Sequence, residues 1–163
     1  MTLFGLLKLI HVASVIWMFG GLLGRFYALG AATRATEIRL TRAFADLAGR
    51  FETTMVIPGS SAVLISGIAT ALAGGFPLLG PLQNEPAWIF VSLLLFAATL
   101  ALVPTVFLPR GRIFGAALED ATARGDLTPS LRAAFADPVV ARSHWGELVG
   151  FGLILVLMVL KPF

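Results

Sequence analysis

Long apolar runs separated by short polar intervals organise this chain: Leu3 to Leu23, Met55 to Leu79, Trp88 to Leu108 and Leu148 to Leu160. A helix needs about 20 apolar residues to cross a hydrocarbon core roughly 30 Å thick, and the first three runs meet that length. The fourth gains it from its polar lead-in, because Asp137-Pro138 reads as a helix cap with proline in the first turn. The expectation is an all-α integral membrane four-helix bundle, one domain over 1–163, with helices over about 3–24, 55–79, 88–108 and 138–160. The first run has no basic residue before it and exceeds the roughly 7–15 residues of a signal core, so it is read as a retained helix.

The intervals are patterned too. Leu40, Phe44, Leu47 and Phe51 share one helical face, with Arg39, Arg42, Asp46 and Arg50 on the other, which predicts an amphipathic extension of helix two. Pro58-Gly59 predicts a kink whose freed carbonyl is met by Ser60, Ser61 or water. Phe114, Ala117, Leu118 and Ala121 form a second stripe ending before Gly125, and Thr128-Pro129 opens a further short helix. These segments are expected as short cytoplasmic amphipathic helices along the inner membrane surface. Pro104 is expected to bend helix three.

Composition supports the membrane reading: 58% of residues are hydrophobic and 13% charged, against about a quarter charged in a soluble domain. With no cysteine, disulfides, iron–sulfur clusters and thiolate nucleophiles drop out. The net charge of +3 does not point to nucleic acid, because the arginines divide between two loops. Loop one holds Arg25, Arg34, Arg39, Arg42 and Arg50, loop three holds Arg110, Arg112, Arg124, Arg132 and Arg142, and residues 80–87 hold none. The bias places loops one and three in the cytoplasm and both termini outside.

Small residues four apart, at Gly20/Gly24, Gly67/Ala71 and Gly146/Gly150, allow close helix approach within the chain, in a homodimer or with a partner membrane protein. Ionisable groups in the apolar runs each need a reason. Lys8 reads as an anchor that reaches the outer surface, and Glu147, one turn from His144, as half of a structural pair. His11 falls about 12 Å below the outer surface, at 1.5 Å per helical residue. It is either a neutral histidine bonded across helices to Ser66, Thr70 or Ser92, or an axial ligand to a b-type haem. His144 falls more than about 10 Å from that level, so the two histidines do not share an iron. The second ligand is then Met158, a second His11 from a symmetric partner, or none. Arg25 and Lys8 are the cations available to propionates.

The run Leu7-Lys8-Leu9-Ile10-His11-Val12-Ala13-Ser14-Val15-Ile16-Trp17-Met18-Phe19-Gly20-Gly21, with Arg25 beyond it, resembles the first helix of the superfamily containing the copper-resistance protein CopD and the HemJ-type protoporphyrinogen oxidases. A closer resemblance is to a bacterial branch of predicted integral membrane proteins, a domain-of-unknown-function family, with a proline-marked second helix, a Trp-led third helix and an ending like Val159-Leu160-Lys161-Pro162. The resemblance implies a bacterial inner-membrane four-helix protein in which His11 matches a haem-binding histidine. The HemJ-type enzymes also carry a lysine early in helix three after a tryptophan. Here Trp88 is followed by Ile89, Phe90, Val91 and Ser92, so the second family ligand is missing and porphyrinogen oxidation is not expected. Copper handling is not expected either, since Met1, Met18, Met55 and Met158 are scattered.

Overall fold

The computed structural model describes residues 2–162 and is all-α, with four helical stretches long and apolar enough to cross a membrane: Leu3–Arg34, Ile38–Ala73, Trp88–Arg124 and Pro129–Leu160. The chain divides into two compact units, one ending at Leu78 and the other starting at Leu79.

In the first unit, α1 (Leu3–Arg34) starts at Thr2, whose hydroxyl accepts from the Gly5 N–H at 3.2 Å. Its 32 residues make it about 48 Å long at 1.5 Å per residue, well beyond a bilayer core. The expected end near residue 24 is therefore too early. Hydropathy falls at Arg25, but nothing there breaks a helix, and Ala28 and Ala32 stay buried on the extension. The next helix, α2 (Ile38–Phe51), packs on α1, and α3 (Ile57–Ala73) packs along the membrane part of α1. Between them, Glu52–Val56 form one wide π turn, so the second span is continuous from Ile38 to Ala73. The helix stops at Ala73 instead of Leu79, because Gly75 takes a left-handed φ of 70° and Pro77 cannot continue the ladder.

The face of α2 turned inward is not the apolar stripe. Ile38, Thr41, Ala45 and Ala48 are buried, while Leu40 and Leu47 are exposed. Small side chains let α2 lie close to Ala28 and Ala32 of α1, and the larger ones one position away are excluded by that closeness.

Pro58 produces a π turn rather than a simple kink. Proline has no N–H and crowds the carbonyl four residues back, here that of Thr54. The ladder widens, and the Ile57 N–H bonds to the Glu52 carbonyl five residues back. The Thr54 carbonyl is met by the Trp17 indole N–H at 3.3 Å, not by Ser60 or Ser61, whose hydroxyls bond to Val56 and Ile57.

The second unit has α4 (Trp88–Leu102), a π turn at Val103–Phe107, α5 (Leu108–Arg124), α6 (Pro129–Phe135) and α7 (Pro138–Leu160). Pro104 lies in the π turn and Pro109 follows it, with Thr105, four before Pro109, donating its hydroxyl to the Ala101 carbonyl at 2.5 Å. The stripe on α5 is as expected: Ala117, Leu118 and Ala121 are buried, Phe114 meets Phe135 edge-on at 5.0 Å, and Gly125 closes the helix at φ 74°. α2 and α5 run on from the spans themselves, and α6 lies at the head of the fourth stretch, set off from α7 by Ala136 and Asp137. Asp137 caps α7 as its sequence implied, accepting from the N–H groups of Val139 and Val140.

The two units repeat one contact scheme, a relation that periodicity alone did not reveal. Arg25 pairs with Glu52 in the first and Arg110 with Asp137 in the second, each pair 27 residues apart. His11 meets Ser66 in the first, and Phe96 meets Phe151 in the second, again at equal spacing. All four correspondences share an offset of 85, the difference between 110 and 25. At the same offset, Leu23-x-Arg25 followed by Gly30-Ala31-Ala32 matches Leu108-x-Arg110 followed by Gly115-Ala116-Ala117.

Candidate functional site

The polar centre of the first unit is built from α1 and α3. His11 is half-buried on α1, and its Nδ1 lies 3.2 Å from the Ser66 Oγ on α3. Of the three partners considered from sequence, Ser66 is the one used. Thr70 instead donates to the Ser66 carbonyl at 2.7 Å, and Ser92 to the Trp88 carbonyl at 2.7 Å.

The serine hydroxyl orients the ring. Ser66 Oγ donates to the Ala62 carbonyl at 2.5 Å, which suits it to accept from the ring. The Val63 backbone is a further hydrogen-bond partner of the imidazole. Among the described residues no orphaned buried polar side-chain atom is found. Gly67 lets the ring in: a Cβ there would stand 2.9 Å from His11 Cε1. At the equivalent level of the second unit, the Phe96 and Phe151 rings meet edge-on at 5.8 Å, so the polar pair belongs to one unit only.

The other candidates are distributed as follows. Lys8 is exposed on α1, three residues before His11. Arg25 is buried, 9% exposed, and ion-pairs with Glu52 at the start of the π turn. Met158 is half-buried on α7, in the second unit. His144 stacks on Phe107 of the second π turn, ring centroids 4.9 Å apart, and Glu147 one turn on is buried at 5% exposure.

Sequence reasoning missed Glu52 and Asp137 as ion-pair partners. The available signal was a carboxylate at the polar end of each second arm, opposite an arginine at the polar end of each first arm. Asp137 is the N-cap of α7, ahead of its apolar run. Its partial burial favours the neutral acid, but the Arg110 hydrogen bond, two backbone N–H donors and the Arg110 charge outweigh that and hold the carboxyl below its ordinary range.

Glycines set how closely the helices approach in the first unit. A Cβ on Gly21 would stand 2.5 Å from Met55 Cβ, one on Gly24 2.7 Å from the Phe51 ring, and one on Gly59 2.9 Å from Met18 Cβ. Gly150 approaches Thr99 in the second unit, whereas Gly146 has nothing within 4 Å. Among the described residues no group of three or more His, Asp or Glu side chains is placed to hold a metal ion. The centre offers a single imidazole held at Nδ1 by Ser66, and histidine held in this way by a neighbour at one ring nitrogen is a common ligand to iron through the other.

Residues 5–162 match the sequence model of a family described as predicted integral membrane protein, DUF2269. No curated protein and no solved structure matches the chain.

Proposed function

The chain belongs to the DUF2269 family of predicted integral membrane proteins, and we propose that in the membrane it holds haem b through His11, for electron transfer or porphyrin-linked redox chemistry. The observation that carries this reading is the committed Ser66 hydroxyl. It orients the ring through Nδ1 and leaves Nε2 as the nitrogen to face an iron. The resemblance of helix one to the CopD and HemJ-type superfamily supports the same choice of residue. Haem, when bound, supplies a one-electron couple within the bilayer.

His11 binds and Ser66 orients. Lys8 and Arg25 are the cations on the same helix that suit propionates, with Lys8 the more exposed and Arg25 already engaged by Glu52. The second axial position falls to His11 of a second copy or to none. Ser92 in place of the helix-three lysine keeps porphyrinogen oxidation outside this reading. The arginine bias supports loops one and three in the cytoplasm and both termini outside, and the resemblance of helix one supports a bacterial inner membrane.

A second reading is favoured by the same hydrogen bond taken alone. Here His11 and Ser66 only tie α1 to α3, in a non-catalytic accessory or interaction protein. The absorption spectrum of detergent-purified protein from haem-replete cells separates the two. A Soret band abolished by His11→Ala supports haem, and a five-coordinate spectrum argues against a second His11. Absence of any chromophore ends the haem reading and leaves the structural one.

A further inference from the structure

The offset between the two units also sets Trp17 and Thr54 of the first against Leu102 and Val139 of the second. In the first unit the indole reaches from α1 to the Thr54 carbonyl. In the second unit leucine stands where tryptophan stood. A groove of about 270 Å³ remains, lined by Leu102, Val139, Arg142, Ser143 and Gly146. Gly146 leaves it open, since nothing lies within 4 Å of where its Cβ would be. Arg142 brings a charge to the rim where the first unit has Ile57. Its Nε donates to the Pro138 carbonyl at 3.1 Å, which holds the side chain along α7 while the guanidinium stays exposed.

We propose that this groove binds one anionic phospholipid, its phosphate on Arg142 and Ser143 and its glycerol and first acyl carbons against Leu102, Val139 and Gly146. The occupant follows from its neighbours. The groove lies at the arginine-rich end of the second unit, where anionic headgroups gather against basic side chains. It pairs one fixed cation with an aliphatic wall, and its volume falls just below the roughly 300–1,000 Å³ of sites that enclose a whole small molecule. That suits the headgroup end of a lipid whose tails continue along the helices.

Native mass spectrometry of the full chain, delipidated in detergent and titrated with phosphatidylglycerol or phosphatidylcholine, tests this. The expected result is one phosphatidylglycerol retained at least about fivefold more strongly than phosphatidylcholine, following the lipid–arginine attraction. Arg142→Gln removes that preference, and Leu102→Trp, which places the first unit's tryptophan there, removes the binding itself. Gly146→Leu fills the groove from the other arm and has the same effect, so a folding defect in one variant leaves the other to decide. Inorganic phosphate at millimolar concentration leaves the lipid bound. Equal retention of the two lipids by the unmodified chain, retention unchanged in both filled variants, or displacement by phosphate alone overturns the proposal.

Discussion

The Trp17 indole donates to the Thr54 carbonyl, and Thr54 is the residue from which Pro58 withdraws the regular helical donor. One proline creates the vacancy and a side chain on another helix fills it. Trp17→Phe should destabilise the first unit by about 1–3 kcal/mol, the cost of an unmet carbonyl away from water. In a Pro58→Ala background the backbone N–H returns, and the same change should cost less. Unfolding in mixed micelles, taken as a double-mutant cycle, measures the difference, and equal costs in both backgrounds would refute the assignment.

The two ion pairs occupy matching positions but differ in exposure. Side-chain accessibility is 11% for Arg25 and 30% for Glu52, against 39% for Arg110 and 18% for Asp137. Breaking a fully buried pair at one partner costs about 3–5 kcal/mol, and the solvent-facing edge of Glu52 reduces that. Arg25→Ala should therefore cost about 2–3 kcal/mol and Arg110→Ala about 1 kcal/mol or less. Thermal or SDS-induced unfolding checks the order, which reversal would contradict.

Glycine positions separate tight from open packing. Gly21→Val drives a branched side chain into Met55 and should cost more than about 2 kcal/mol. Gly146→Ala meets nothing and gains helix propensity, so it should be neutral or stabilising by up to about 1 kcal/mol. Comparable losses at both sites would show that the α1 contact is not the limiting one.

Asp137 couples acid to the start of α7. Its carboxyl is lowered in the folded chain, so the stability it contributes is present above the unfolded value of about 3.9 and is lost as pH falls through the lower folded value. The midpoint of unfolding should drop as pH falls below about 4. Asp137→Asn keeps a capping oxygen and should show a smaller drop. A variant with an undiminished acid response would assign that response to another carboxylate.

How much of this was legible in the chain differs by scale. The four spans, the Asp137 and Thr128 caps and the stop at Gly125 were readable, because apolar length, capping chemistry and left-handed glycine act locally. The end of α1 was not, since hydropathy marks where lipid stops and not where a helix stops. The contact of α2 with α1 was not legible for a related reason: inside a membrane protein, small residues such as Ala45 and Ala48 rather than large apolar ones mark a close contact. His11 stood out as a buried imidazole in want of a partner, and Ser66 was among those considered. Glu52 did not stand out, because its pairing with Arg25 crosses from one helix to another.

The widened turn at Glu52–Val56 fits five residues into roughly the rotation that four make in an ordinary α-helix. Removing one residue there would restore ordinary winding and leave Thr41, Ala45 and Ala48 still facing α1. The same loss inside α2 would instead turn every residue on one side of it by about 100°, so the five residues of the turn are where a change of length is expected to be best tolerated.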